Sequence, residues 1–536
     1  MNISSFQKRI SVLAVAGLTS LAVIGAPSVA HAAPVCAITP TVTTCQGVGS
    51  DGAPYYMLVP ANFKGTVYLW SHGYRYNVDI PSAIPLIGGY KVVNAPEPTP
   101  GGSPAITGAL LSQGYAVMGS GFARQGWNPT AGVAADVELI KTFKDKFPAT
   151  TNVIAWGESL GGFITQTLAE QHPELISAAA PVCLAGSIDA ELTGAGDFLW
   201  GLKTFFDPSI TVAGYGSGTA GYALSMQSLG KVFTVMGKLQ ATMTTGAWPD
   251  TAPDVLKNSG IPARSALVLL GLMSGLPSQS AHFDGTTGPG SVNSATYTGF
   301  SLLYSPALAM LENGTSAAAL GVLANADVEA QSGGIVFDNS KTDYAARLDS
   351  DASTFSAALS GSTATNALLG YLTQAPRVTA DPAAVAKLHK IATYVGKISV
   401  PTITMVGLAD PITPAGASML LAQKYAVQYQ AQKVANLKAH KPKGPSNLIT
   451  IWQPTPTHYS TFDATGLPVT STPAANGTNH CNFTTKQYLA VADLLAYASA
   501  TGKQLSGGPL RTKVRKMGGA VIDPKLDVPL MKFDQN

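Results

Sequence analysis

The chain has 536 residues, which is long for one compact domain and short for three. Hydrophobic residues make up 46% and charged residues 12%, which provides material for a large core and argues against a long disordered polar tract. The formal net charge is +3, with Lys8 and Arg9 supplying two of the positive charges, so the composition does not indicate the clustered basic face of a nucleic-acid-binding protein.

The N-terminus has the pattern of a secretory signal peptide over residues 1–32. Lys8 and Arg9 form a basic start, an apolar run covers 10–25, and Ala30-His31-Ala32 is a small-x-small cleavage site. The alternative, a membrane anchor, needs a longer apolar run, and no later segment of the sequence reaches that length. We therefore predict a secreted, extracellular protein that begins near Ala33 and has no stable membrane insertion.

Strand-like and helix-like runs alternate through the first core segment, residues 33–186. The predicted strands are 55–60, 66–71, 115–120, 152–156 and 176–184, and the predicted helices are 105–113, 133–147 and 160–171. This alternation predicts an α/β fold with a mostly parallel sheet and helices on both of its faces.

The alternation stops at residue 187 and resumes at 398. The segment 187–397 contains Gly/Ser/Thr-rich turns and predicted helices such as 229–242 and 383–395, so we predict a mainly helical cap inserted between strands 6 and 7 of the sheet. The second core segment, 398–505, has predicted strands at 401–406 and 447–453 and predicted helices at 414–440 and 485–499. No structure is predicted for the C-terminal tail, 506–536.

The sequence Gly157-Glu158-Ser159-Leu160-Gly161 lies between a predicted strand and a predicted helix. A G-x-S-x-G turn in that setting is a nucleophile elbow, in which strained backbone angles lift the serine hydroxyl above the sheet edge. Because about a tenth of the chain is glycine, the motif alone is a weak signal and a structural turn is the alternative. The flanking strand and helix favour Ser159 as a nucleophile.

On these residues the chain resembles the α/β-hydrolase superfamily, over about residues 53–186 and 400–503. The resemblance implies the α/β-hydrolase fold and a serine hydrolase. It also implies that the catalytic acid follows a later strand and that the catalytic histidine follows the last strand.

Asp410 directly follows the strand predicted at 401–406, and we predict it as the acid. A carboxylate there would fix the tautomer of the catalytic histidine and stabilise the imidazolium that forms. The alternative role is a helix N-cap, because Pro411 and Pro414 are typical of a helix start. Asp189 is the rival acid, since some members of the family place the acid after the preceding strand.

Three histidines follow Asp410. His440 lies in a basic run typical of a solvated surface, whereas His458 follows the last predicted strand. His480 lies in Asn479-His480-Cys481-Asn482-Phe483-Thr484, which is similar to a Gly-His-Cys-x-Phe-Thr run at the catalytic position of family members. Here Asn479 replaces the glycine. We predict His480 as the general base, with His458 as the alternative.

In the family, one oxyanion-hole N–H comes from the loop after an early buried strand, and the second comes from the residue after the nucleophile. Here that loop begins His72-Gly73-Tyr74, so the predicted donors are the backbone N–H groups of Tyr74 and Leu160. One such donor is worth about 2.7–4 kcal/mol of transition-state stabilisation. His72 is predicted to shape the loop and not to transfer protons.

Four cysteines in an exported chain suggest two disulfides, for which three pairings exist. Local closure favours Cys36–Cys45 and leaves Cys183–Cys481, which would hold the His480 loop against the sheet. Tannases and feruloyl esterases have a related device with a Cys directly before the serine, where this chain has Glu158. Gly-Glu-Ser-x-Gly is instead similar to carboxylesterases. No CxxC pair or histidine spacing indicates a metal site, so we predict no metal and no cofactor.

The predicted function is hydrolysis of carboxylic esters through an acyl-enzyme intermediate, with a small-molecule or lipid-like ester as substrate. A secreted serine exopeptidase is the alternative, because the same triad cleaves peptides. A hydrolase-like binding protein is a third hypothesis, which the order of Ser, Asp and His along the chain disfavours.

Overall fold

The computed structural model describes residues 33–287, 301–390, 396–442, 444–463 and 468–535. The signal peptide predicted over residues 1–32 lies outside these ranges, as do the last residues of the helix predicted over 383–395.

The described residues contain one nine-stranded sheet. Its strands are β1 Val35–Ile38, β2 Val42–Val48, β3 Pro54–Pro60, β4 Thr66–Ser71, β5 Ala116–Ser120, β6 Asn152–Glu158, β7 Ala178–Val182, β8 Thr402–Gly407 and β9 Leu448–Gln453. Their spatial order is β1-β2-β3-β5-β4-β6-β7-β8-β9. The pairs from β5 through β9 are parallel, whereas β1, β2 and β3 pair antiparallel with one another and β3 pairs antiparallel with β5. The predicted mostly parallel sheet is therefore confirmed.

The helices, in chain order, are α1 Pro104–Ser112, α2 Pro129–Lys146, α3 Leu160–Gln171, α4 Ile188–Phe205, α5 Gly218–Ala241, α6 Asp254–Lys257, α7 Ala263–Met273, α8 Ser301–Ser332, α9 Tyr344–Leu348, α10 Asp351–Thr354, α11 Gly361–Gln374, α12 Pro382–Leu388, α13 Ala415–Lys438, α14 Thr485–Thr501 and α15 Gly507–Arg515.

Helices cover both faces of the sheet. Phe143 of α2 and Phe163 of α3 belong to the core on one face, and Leu110 of α1 and Leu495 of α14 belong to the core on the other. Every residue of β5, β7 and β8 is buried, because strands covered on both faces have no solvent side. This burial on both faces explains why these strands are continuous apolar runs in the sequence.

Helices α4 to α12 lie between β7 and β8, in the segment predicted as a cap, and they have a hydrophobic core of their own around Trp200, Leu270 and Met310. In chain order the segment follows the seventh strand of this sheet. Five strands are predicted before residue 187, and the sheet has seven there because β1 and β2 precede the predicted ones. Val35 and Ile38 of β1 are 72% and 80% exposed, so this hairpin has no buried apolar pattern that predicts it.

One helix among the described residues is apolar and long enough to span a membrane by length and composition, Tyr304–Ser332 within α8. In this structure 78% of its apolar window is buried. It packs against α4, α5 and α7, and most of its buried apolar residues belong to the same hydrophobic cluster as Trp200 and Leu270.

The C-terminal tail, for which the sequence predicted no structure, packs on the core. It contains α15, and Val521 forms an antiparallel bridge with Trp452 in β9, with both backbone N···O distances 2.8 Å. Further on, Met531 is buried against Gly416 at the start of α13. The tail therefore covers the β9 edge of the sheet.

Candidate active site

Ser159 occupies the sharp turn between β6 and α3. Its backbone angles are φ 58° and ψ −124°, in a region that L-residues rarely adopt, and the residue is 6% exposed. A Cβ on Gly161 would lie 2.0 Å from the Ser71 carbonyl oxygen, and one on Gly157 would lie 2.4 Å from the Gly161 carbonyl oxygen. The two glycines are therefore required because the backbones of β4, β6 and α3 meet closely at this turn.

Asp410 follows β8 and faces His480. The carboxylate is 1% exposed, and both of its oxygens lie 3.0 Å from His480 Nδ1. It also accepts hydrogen bonds from the backbone N–H groups of Ile412, Thr413 and Cys481. Burial raises the pKa of Asp410, but the imidazole and these donors outweigh burial and hold the pKa below its usual value.

The alternative acid and histidines lie elsewhere. Asp189 is at the start of α4, where its Oδ1 lies 3.1 Å from Nε2 of the half-exposed His389. His458 is exposed, and its Nδ1 lies 3.4 Å from the hydroxyls of Thr286 and Thr287. His440 is exposed beyond the end of α13. Of the described histidines that follow Asp410, His480 is the one that contacts that carboxylate.

The Ser159 turn and the His480 loop are joined through β7. The Ser159 N–H donates to the Val182 carbonyl oxygen at 3.1 Å, and the next residue, Cys183, forms a disulfide with Cys481. In the described part of the chain no hydrogen bond connects the Ser159 hydroxyl to His480. Bonds of this kind are often long in ligand-free enzymes and shorten when substrate binds.

Both predicted disulfides, Cys36–Cys45 and Cys183–Cys481, are present. They close chain segments of very different length, 9 and 298 residues. The loss of loop-closure entropy in the unfolded state grows with that length.

Replacing Cys183 and Cys481 together with serine is expected to reduce the free energy of unfolding by about 4–5 kcal/mol. The matched double replacement of Cys36 and Cys45 is expected to cost about 2–3 kcal/mol because its loop is short. Denaturant titration of the two variants measures the difference. An equal loss in both would contradict a loop-length effect.

The oxyanion loop, defined here as residues 72–77, lies against the Ser159 turn. A Cβ on Gly73 would lie 3.3 Å from the Ser159 Cβ. Leu160 is the first residue of α3, so its N–H has no partner within the helix. Among the described residues, the N–H of neither Tyr74 nor Leu160 donates to a backbone carbonyl. Both predicted donors are therefore free of backbone partners.

His72 is buried, and its Nδ1 lies 2.7 Å from the Gly73 carbonyl oxygen. Burial lowers the pKa of His72 to about 3, with a further contribution from Arg75, so the imidazole is neutral at physiological pH. This agrees with the predicted role in shaping the loop.

A family model described as the alpha/beta hydrolase fold matches residues 114–213, which include β6, the Ser159 turn and α3. This chain has the α/β-hydrolase fold. No curated protein matches the sequence.

Several solved structures of esterases are weakly similar to this chain. Feruloyl esterase B from Aspergillus oryzae is 14% identical with a TM-score of 0.30, and the match covers 82% of this chain and 74% of that one. The cell-wall-degrading esterase LipA from Xanthomonas oryzae is 13% identical with a TM-score of 0.29, covering 77% and 82%. The Pyrococcus furiosus esterase Pf2001 is 15% identical with a TM-score of 0.22. That match covers 30% of this chain and 58% of the esterase. At TM-scores below 0.5, we derive no activity from these similarities.

Two partly buried glutamates near His480 were not predicted as site residues. Glu158 Oε2 accepts a hydrogen bond from the Tyr488 hydroxyl at 2.5 Å, and burial raises the pKa of Glu158. Glu191 Oε1 accepts the Gly186 N–H at 2.7 Å, and burial raises the pKa of Glu191 to about 8. Glu158 belongs to the elbow motif, but no signal in the sequence places Tyr488 beside Glu158 or Glu191 near His480.

A cavity of about 260 Å³ lies beside the Asp410 loop. Its walls come from α4, α7, the loop after β8 and the C-terminal tail, and include Glu191, Leu272, Ile412 and Met531. The tail therefore forms part of the surroundings of the site, which the sequence did not predict.

Proposed function

We propose that this protein is a secreted serine hydrolase that cleaves carboxylic esters with Ser159, Asp410 and His480 as its triad. The observation that carries the proposal is the contact between the buried Asp410 carboxylate and the partly exposed His480 imidazole, whose loop is linked by a disulfide to the end of β7, beside the strained Ser159 turn. Ser159 lies at the carboxyl end of β6 and Asp410 follows β8 in the same parallel sheet, which supports their roles as the nucleophile and as the acid that orients the base His480.

The reaction would follow the acyl-enzyme route. His480 Nε2 takes the proton of the Ser159 hydroxyl as the oxygen attacks the ester carbonyl, and the Tyr74 and Leu160 N–H groups bind the oxyanion. His480 then gives the proton to the leaving alcohol. Water attacks the acyl-enzyme by the same steps and releases the acid. Asp410 stays ionised throughout, and its low pKa supports this role.

Secretion is part of the proposal. The N-terminal signal pattern and the two disulfides support it, because disulfides persist in oxidising compartments outside the cytosol. Recovery of the protein only inside the producing cells, with residues 1–32 retained and the four cysteines reduced, would argue against it.

The proposal is tested by assaying the mature protein against p-nitrophenyl esters of increasing acyl length and against aminoacyl anilides. We expect ester turnover and weak or no anilide turnover. Faster anilide turnover would favour the exopeptidase. A protein that turns over neither substrate and does not react with a fluorophosphonate probe would indicate a binding protein.

We expect the acidic limb of the kcat/KM profile to have its midpoint above pH 6.5, because His480 must be neutral to accept the proton of Ser159. Burial lowers the pKa of His480. The Asp410 carboxylate, with contributions from Glu158 and Glu191, outweighs burial and raises the pKa above its usual value. Turnover therefore falls as the pH drops through this raised pKa. A profile of kcat/KM against pH measures the limb.

Replacing Glu158 with glutamine removes a negative charge near His480, so we expect the limb to move to lower pH. The matched control is Glu312→Gln, which removes a carboxylate paired with His282 in the cap and should leave the limb in place. An unmoved limb in Glu158→Gln would mean that Glu158 is uncharged at that pH.

A further inference from the structure

A carboxylate from the cap lies buried beside the oxyanion loop. Asp327 is on α8, where its sequence neighbours are Ala326 and Val328, and its side chain is 0% exposed. Burying a carboxylate costs several kcal/mol unless hydrogen bonds and an opposite charge compensate. The partners of Asp327 therefore define its role.

One set of partners comes from the oxyanion loop. The Asn77 side-chain amide donates to Asp327 Oδ1 at 2.8 Å, three residues after Tyr74, the proposed oxyanion donor. Gly73 of the same loop lies against Ser159. A displacement of Asn77 would therefore change where the Tyr74 N–H lies relative to the Ser159 hydroxyl.

A second set comes from the loop that precedes α2. The Trp127 N–H donates to Asp327 Oδ2 at 2.7 Å, and the Arg124 guanidinium donates to Oδ1. A Cβ on Gly126 would lie 2.3 Å from Oδ2, so glycine is required where this backbone approaches the carboxylate. The Gly126 N–H in turn donates to the Arg75 carbonyl oxygen at 2.9 Å, which joins the two loops directly.

The second loop also contacts the helix that carries the nucleophile turn. The Trp127 ring packs edge-on against Phe163 of α3, with 5.3 Å between ring centroids. Gln331, one turn after Asp327 on α8, donates to the Trp127 carbonyl oxygen at 3.1 Å. The cap thus holds both loops relative to α3 from one side.

We propose that Asp327 is a positioning residue, whose carboxylate fastens the oxyanion loop and the 124–128 loop to cap helix α8 and so sets the geometry of the oxyanion hole. The segment 187–397, which contains α8, then takes part in assembling the catalytic site. This inference rests on the proposed ester hydrolysis.

The test compares Asp327→Asn with Asp197→Asn. Asp197 is the matched control because it is also a fully buried aspartate paired with an arginine, Arg347, and it accepts the Tyr344 hydroxyl at 2.6 Å. These partners lie within the cap and do not include the oxyanion loop. Each change keeps the side-chain shape and removes the charge.

We expect Asp327→Asn to reduce kcat on a p-nitrophenyl ester by about 10- to 100-fold with KM within about twofold, because a misplaced oxyanion donor weakens transition-state binding more than substrate binding. Asp197→Asn is expected to lower the melting temperature but to leave kcat within about twofold. Assays are run below the melting temperatures of both variants. Equal losses of kcat in the two variants would overturn the proposal.

Hydrogen exchange measured by mass spectrometry provides a readout that does not depend on activity. Peptides covering 72–77 and 124–128 should exchange faster in Asp327→Asn than in Asp197→Asn. Unchanged exchange there would overturn the positioning role even if the protein hydrolyses esters. Faster exchange in a protein whose wild type hydrolyses no ester would uphold the fastening role and reject the proposed function.

Discussion

Replacing Ser159 with alanine is expected to reduce ester turnover by about 10⁶-fold, the scale seen when a serine hydrolase loses its nucleophile. The alanine keeps the Cβ and the turn but removes the oxygen that attacks the carbonyl, so the acyl-enzyme cannot form. The remaining oxyanion donors would still leave turnover about 10³- to 10⁴-fold above the rate in water. Steady-state turnover of a p-nitrophenyl ester measures the loss, and covalent labelling by a fluorophosphonate should disappear in parallel.

The matched control for this change is Ser112→Ala. Ser112 is exposed at the end of α1, and its hydroxyl donates to the Ala109 carbonyl oxygen in the same helix. Turnover and labelling should be unchanged in that variant. If Ser159→Ala still reacts with the probe, the nucleophile is another residue.

Replacing Asp410 with asparagine is expected to reduce kcat by about 10⁴-fold. The amide would no longer hold His480 with its proton on Nδ1, nor stabilise the imidazolium that forms during attack. The NH2 group of the asparagine would also face a backbone N–H donor, because both carboxylate oxygens accept hydrogen bonds from backbone N–H groups in the native site. Steady-state kinetics on the same ester measures the effect.

Because Asp410 also organises its loop, the control must separate folding from catalysis. Asp284 is suitable, since it is 2% exposed and accepts hydrogen bonds from the backbone N–H groups of Thr286, Thr287 and Ser460. No hydrogen bond joins it to a histidine among the residues that the structure describes. Asp284→Asn should lose stability and keep kcat. A larger loss of kcat in Asp189→Asn than in Asp410→Asn would make Asp189 the acid.

Many strands and helices of the core could be predicted because the sequence patterns that mark them are local. β4 and α3 have the predicted bounds, 66–71 and 160–171, since a buried parallel strand is a continuous apolar run and the elbow marks where the helix begins. α5 begins earlier than predicted, at Gly218. Gly218 and Gly221 are poor helix formers, and packing against α8 offsets their low propensity.

The residue types and order of the proposed triad, the Ser159 turn and the number of cysteines are properties of the sequence itself, because each depends on a short motif or on position after a strand. The tertiary structure decided which acid and histidine pair, placing Asp410 against His480 and Asp189 against His389. It also decided that Glu158 and Glu191 lie partly buried near His480 and that Asp327 is buried against the oxyanion loop. The burial and pairing of these side chains depend on which segments, distant in sequence, come together at the edge of the sheet. No local motif or hydrophobic periodicity in the sequence indicates these tertiary contacts.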